Sequence, residues 1–249
     1  MTALSSKVRR CFNRASKTYD SVATVQRKAA NSLVKKLIKI HTLAPKTILD
    51  LGTGTGYVAE LLMQIYPKSH YTLNDIAEEM LNVCKLKFIQ NSNFTFIQGN
   101  VEELNIDTYD LIISNLAIQW VEDLLGVIQV LHSKSSQIFA FTTLLDGTFQ
   151  EWQDIINIYA DVTLQHYPTE VELAKHCNII KNQHHFQYWT MNSTMKFETS
   201  SLFINYLKTL GASTSRRQIP LHALKKLIRE QINPFTVSYR IFFGIFKKI

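Results

Sequence analysis

Ile48-Leu49-Asp50-Leu51-Gly52-Thr53-Gly54-Thr55-Gly56-Tyr57 is the stretch whose reading decides the fold. A short apolar strand runs into three glycines at alternate positions and then into a helical pattern. Glycine lets the backbone turn sharply and approach a ligand with no Cβ in the way. A dinucleotide fingerprint, Gly-x-Gly-x-x-Gly, would need glycine at position 57, where Tyr57 stands, so a pyrophosphate cradle is not indicated. An ordinary glycine-rich turn between strand and helix would leave the same trace, so the surrounding pattern must decide.

Outward from this turn, short apolar runs alternate with helical stretches. Strands are predicted at 47–51, 70–74, 94–97, 109–114 and 137–143, with helices near 56–65, 77–89 and 121–132. Such alternation implies a parallel sheet with right-handed crossovers. Beyond Leu145 the rhythm changes to a helix near 148–165, a strand at 184–191, helical pieces near 199–210 and 221–231, and an aromatic, β-branched run from Phe235 to Phe246 that reads as a buried strand. Ahead of the sheet, Val22, Val25, Ala29, Leu33 and Leu37 recur at helical spacing with Lys28, Lys35, Lys36 and Lys39 between them, an amphipathic helix ending before Pro45. The expected fold class is α/β, a doubly wound, mostly parallel seven-stranded Rossmann-like sheet. One domain is expected over 1–249: a basic helical lid (1–46), a cofactor-binding core (47–145) and a C-terminal part (146–249) that completes the sheet and caps the substrate.

With 46% hydrophobic and 19% charged residues, the chain has the composition of a globular protein with a sizeable core. No run approaches the roughly 18 apolar residues of a membrane span, and the first twenty residues lack a signal-peptide apolar block, so a cytoplasmic protein without a membrane partner is expected. Cys11, Cys84 and Cys177 are odd in number and far apart, which predicts neither a disulfide framework nor a metal site. The charge of +7 is unevenly spread: residues 1–46 hold eleven Lys/Arg against one acid, 47–145 four against eleven, and 146–249 twelve against eight. Basic ends around an acidic middle suggest an acidic partner docking on the terminal segments, although a solvated basic helix face gives the same count.

The Asp50-x-Gly52-x-Gly54-x-Gly56 spacing resembles the first motif of class I methyltransferases, whose loop faces the methionine part of S-adenosylmethionine. Asp75, followed by Ile76, comes directly after the second strand, twenty-five residues after Asp50, where an acid can accept both ribose hydroxyls of a nucleoside. It also suits an N-cap of the following helix. Gly99-Asn100-Val101 follows the third strand, where these enzymes often carry an Asp that meets the adenine amine; the Asn100 carbonyl can accept the same hydrogen bond. Ser114-Asn115 closes the fourth strand where the transferable methyl should emerge. The prolines and aromatic residue of enzymes that methylate base amines are missing there, which argues against a nucleic-acid substrate.

Five blocks narrow the resemblance: Phe12-Asn13-Arg14-Ala15-Ser16 with Tyr19, Ala23 and Gln26; Ser114-Asn115-Leu116-Ala117-Ile118-Gln119-Trp120; Phe141-Thr142-Thr143-Leu144; Leu207-Lys208-Thr209-Leu210-Gly211-Ala212; and the aromatic tail around Tyr239. Together they resemble the malonyl-acyl-carrier-protein O-methyltransferases of biotin synthesis, from about Val8 to Phe246. That resemblance implies methyl transfer from S-adenosylmethionine to the free carboxyl of a malonyl thioester on an acidic acyl carrier protein, by a monomer. It also implies that Tyr19 and the preceding helix close over the site, with Gln26 nearby, a device that excludes water.

A carboxylate is ionised at neutral pH and needs no general base, so the protein's task is alignment. A cationic fork would recognise the malonyl carboxylate, with Arg14 the first candidate and Arg240 the second. The basic N-terminal segment and the pair Arg216-Arg217 would steer the acidic carrier. Three rival readings stay open on sequence: a methyltransferase for another small carboxylic acid, an RNA-binding methyltransferase suggested by the pI of 9.2, and a non-catalytic partner that only binds the cofactor.

Overall fold

The computed structural model describes residues 2–40, 44–182, 184–217, 219–230 and 234–248. Its centre is a seven-stranded sheet built from β1 (Thr47–Leu51), β2 (His70–Asp75), β3 (Phe94–Gln98), β4 (Tyr109–Asn115), β5 (Ser135–Leu144), β6 (His185–Phe197) and β7 (Phe235–Lys247), in the order β3-β2-β1-β4-β5-β7-β6. Strands β1 to β5 pair in parallel, and β7 runs antiparallel to both β5 and β6. β1 and β4 are buried along most of their length because both their faces are covered, as in central parallel strands.

One face carries α3 (Thr24–Ile40) and α4 (Tyr57–Ile65), whose Ala29, Leu33, Leu37 and Leu62 pack on Ile48, Leu111 and Ile113. The other carries α6 (Leu124–Lys134) and α8 (Glu170–Ile180), packed on Leu49, Ile112, Phe139 and Phe246. A third cluster joins α7 (Gln150–Asn157), α9 (Ser200–Leu210) and α10 (Leu221–Glu230) around Trp152, Phe203 and Leu227, with Ala23 and Val237. Apolar helices on both faces make the sheet doubly wound. The chain begins with α1 (Ala3–Ala15) and α2 (Tyr19–Val22), while α5 (Glu78–Lys87) follows β2.

Three expectations need correction. The helix near 148–165 is only α7, after which 158–169 is irregular. Phe149 enters it at φ 59°, and the chain leaves through turns that hydrogen-bond to Gln153. α8 was not foreseen, yet it starts on a complete capping box in which Thr169 and Glu172 satisfy each other's backbone N–H. β6 continues to Phe197 because its half-exposed alternation stays in register with β7 along thirteen residues. The expected helix 221–231 is α10 over 221–230; residue 231 lies outside the described residues, as do residues 1 and 41–43 of the N-terminal segment.

Candidate active site

The C-terminal ends of β1, β2 and β4 converge on the glycine turn. Gly52, Gly54 and Gly56 all have positive φ. A Cβ on Gly52 would stand 2.2 Å from that of Ala117, so the turn is pressed against the segment leaving β4. Asp75 braces the turn from β2: its Oδ2 accepts from the Gly54 N–H at 2.9 Å and its Oδ1 from the Ala77 N–H at 2.8 Å. The residue at the N-cap of α5 is Ala77, so Asp75 ties strand end to turn rather than capping the helix. Each of its oxygens keeps a lone pair. Asn74 holds the next loop by donating to the carbonyls of Ile97 and Gly99.

Two buried acids lie here with no basic partner among the described residues. Burial raises Asp50 to about 7, against the opposing hydrogen bond from the Thr53 hydroxyl, and raises Asp75 to about 6 against its backbone donors. Carboxylates held this way favour a cation beside them.

Gly52, Gly54, Asp75, Ile76, Asn100, Val101 and Asn115 line one narrow cavity of about 90 Å³. Its roof is α1, through Ser5, Val8 and Phe12. The roof is fastened at several points: Asn13 Oδ1 accepts from the Glu79 N–H at 3.0 Å, Thr18 donates to the Thr209 carbonyl at 2.9 Å, and Phe12 lies where a Cβ on Gly211 would meet its ring at 2.8 Å. Asp20, in α2, accepts from the Thr55 hydroxyl at 2.7 Å and pairs with Arg27 at 3.2 Å. Tyr19 is thereby held with its ring against Gly54. Its phenol is pushed well above the usual range by burial first, then by Asp75 and Asp20.

Phe12, Tyr19, Leu116 and Trp120 belong both to this cavity and to a second, larger chamber of about 730 Å³. Leu116 sits at φ 49°, a conformation costly for a side chain with a Cβ, and is held there by Thr142, whose hydroxyl and carbonyl both accept from its N–H. The chamber is walled by Leu144, Phe149, Trp152, Leu207 and Leu224, with Gln26, Gln119, Tyr167 and Tyr239 among the polar groups facing it. An apolar chamber with a few polar groups, joined to a polar cleft through an aromatic neck, can hold an acyl chain against a group bound in the cleft.

Sequence reasoning brought together most of this site and misplaced part of it. Asp50, Gly56 and Ser114 do not line the narrow cavity. Asp50 faces a small recess behind the turn with Thr53 and Thr55, Gly56 packs under Phe88 and Cys84, and fully buried Ser114 donates to the Leu51 carbonyl, joining β4 to β1. Asn115 lines the cavity, but its amide is spent on the Gln26 carbonyl and the Thr142 hydroxyl, so it positions α3. Gln26 and Tyr19 both line the chamber. Arg14 does not: it is exposed on the last turn of α1 and lines neither cavity. Arg240 is exposed as well and donates to the Asp146 carbonyl. Arg216 is engaged by Glu122 at 2.5 Å and by the Val121 carbonyl at 2.7 Å. Tyr167 was missed because the irregular segment around it carries no periodic signal, and Gln119 was visible only as part of a block.

A sheet in this order with β7 reversed, a glycine turn after β1 and an acid closing β2 define a class I methyltransferase. A methyltransferase domain model matches residues 48–133. Among solved structures, magnesium protoporphyrin IX methyltransferase from Synechocystis superposes with TM-score 0.62 at 15% identity, covering 98% of this chain and 100% of that one. The YcgJ protein from Bacillus subtilis gives 0.61 at 18%, over 88% and 98%.

Sequence relatives are narrower. A malonyl-[acyl-carrier protein] O-methyltransferase from Priestia megaterium is 31% identical over 223 residues, 83% of this chain and 81% of that protein. One from Neorickettsia risticii is 29% identical over 241 residues, 94% and 93%. The chain belongs to the malonyl-[acyl-carrier protein] O-methyltransferase family. Among the described residues, no helix is long and apolar enough to cross a membrane.

Proposed function

We propose that this chain methylates the free carboxyl of a malonyl thioester carried by acyl carrier protein, using S-adenosylmethionine, as an early step of biotin synthesis. The observation that carries the reading is the neck of Phe12, Tyr19, Leu116 and Trp120 between a glycine-lined cleft and an apolar chamber. When bound, the cofactor supplies a methyl on a sulfonium; the carboxylate oxygen takes the methyl while sulfur keeps the bonding pair, and no proton moves.

The residues of the cleft fit that group. Free lone pairs on Asp75 suit ribose hydroxyls, Asn100 suits the adenine amine, Ile76 and Val101 give apolar walls, and the unpaired acids Asp50 and Asp75 favour a positive charge. Gly52 and Gly54 give the methionine part backbone to lie on. Tyr19 and Gln26 stand where the acyl group would meet it, and the α1 roof keeps water out. The protein's contribution is alignment, with oxygen and methyl carbon about 3–3.5 Å apart.

The carrier partner is acidic in this reading, and the chain acts as a monomer. The basic α3 face supports the first point: Lys35, Lys36 and Lys39 border a groove with Tyr188 and Trp189. The test is rescue of a biotin-requiring strain that lacks its own malonyl methyltransferase, alongside assays with malonyl carrier protein, malonyl coenzyme A and free diacids. Rescue by this chain and failure by Asp75→Ala are expected. Soluble protein that neither rescues nor forms a methyl ester on the carrier-bound substrate would overturn the reading.

A further inference from the structure

We infer that the substrate carboxylate is recognised by neutral hydroxyl donors, Tyr167 and Tyr239 together with Tyr19, and not by an arginine. The inference rests on the proposed function and names the anion site within it.

The three phenols face one chamber from three separate elements: Tyr19 from α2, Tyr167 from the segment before α8, and Tyr239 from β7. Tyr239 is buried and its hydroxyl lies 3.0 Å from that of Tyr206, which can donate to it and leave the Tyr239 proton free for a ligand. The hydroxyls of Tyr19 and Tyr167 make no hydrogen bond to any described residue. Neither belongs to the fully enclosed unpartnered atoms, so both open onto space. Polar groups of low exposure are rarely left without partners, so a chamber lined by such hydroxyls is built for a polar ligand.

The ligand's charge follows from what the phenols can do. Burial pushes all three upward, and Tyr19, Tyr167 and Tyr206 each push Tyr239 further, so the hydroxyls stay protonated and donate. Hydroxyl donors lining one chamber suit an anion. The basic side chains that line the chamber among the described residues are Lys208 and His166, both exposed. Arg14 and Arg240 line neither cavity, and Arg216 already has its carboxylate.

A neutral anion site also suits the chemistry. The carboxylate loses its charge as the methyl arrives, so an arginine fork would stabilise it more before reaction than in the transition state, which raises the barrier, and neutral hydroxyls do so less. Hydroxyl donors fix the oxygen's position while leaving its charge available to the methyl.

Tyr167→Phe, Tyr239→Phe and the double variant test this, with malonyl and acetyl carrier protein as probes. Binding is read by calorimetry with S-adenosylhomocysteine present, and turnover by methyl ester formation. Each single change is expected to weaken malonyl binding and kcat/KM by about tenfold, and the double by about a hundredfold. Affinity for the acetyl carrier and for S-adenosylhomocysteine should stay within about twofold, since neither needs the anion site. With S-adenosylmethionine saturating, kcat/KM for the malonyl carrier should be flat between about pH 7 and 9, because the phenols remain protonated there. A folded double variant that keeps malonyl binding within about threefold overturns the inference, as does an equal loss on the acetyl carrier. Loss of the malonyl preference in Arg216→Gln with all tyrosines present overturns it too. Wild-type protein that forms no ester at all would sink the proposed function itself, a separate result.

Discussion

Replacing Asp75 by asparagine separates its two jobs. The carboxylate takes one N–H on each oxygen, from Gly54 at 2.9 Å and Ala77 at 2.8 Å. An amide offers one oxygen, so one of these N–H groups would face an NH₂ instead. A hydrogen bond to a charged acceptor is worth about 1.5–3 kcal/mol, and at 7% exposure little water can replace it. The ionised carboxylate is itself poorly solvated, as its rise to about 6 shows, which offsets part of the loss. A net destabilisation of about 2 kcal/mol is expected, which for a chain of this size lowers Tm by about 4–8 °C. The ribose hydroxyls would lose one charged acceptor, weakening S-adenosylhomocysteine by about tenfold to a hundredfold. Thermal melting and calorimetry on the same preparation read the two effects. A lowered Tm with Kd within about threefold of wild type would leave Asp75 a brace of the turn and refute its part in holding the nucleoside.

Gly52→Ala should cost about 2–4 kcal/mol, from φ +64° and a Cβ 2.2 Å from that of Ala117; adding Ala117→Gly should restore only the part due to the clash, measured by denaturant titration. Asp50 and Asp75 are both raised in the folded state, so their stabilising protonation is present below the ordinary carboxylate range and is lost as pH rises through about 6 and 7. The ligand-free protein should therefore melt progressively lower from about pH 5 to 8, and S-adenosylmethionine, a cation, should release more protons on binding near pH 7 than neutral S-adenosylhomocysteine; equal release in buffers of different ionisation enthalpy would contradict this. Lys35→Glu with Lys36→Glu should slow turnover of the carrier-bound substrate at low salt and leave S-adenosylhomocysteine affinity unchanged, and an unaltered rate and salt response would remove the α3 face from carrier docking.

The cleft was legible because its chemistry is written locally. Three alternating glycines, an acid closing β2 and Asn100 after β3 each lie within one turn of a strand that its own apolar run announces. What the sequence could not place was anything decided by partners far along the chain. Ser114 and Asn115 are adjacent, yet one turns into the sheet toward Leu51 and the other toward Gln26 and Thr142, a choice made by strand register. Arg14 had the right chemistry and the wrong helix face. The capping box at Thr169 was readable, but the irregular residues before it masked the start of α8 and hid Tyr167.

The roof over the cleft has a consequence for how the enzyme is made. Thr18 is tied to Thr209 and Phe12 seats on Gly211, nearly two hundred positions away. These contacts therefore cannot form until α9 has been synthesised. A chain halted before that point has its glycine turn with the roof held only from the α5 side, through Asn13 and Glu79, so a fully fastened cleft is among the last properties folding confers.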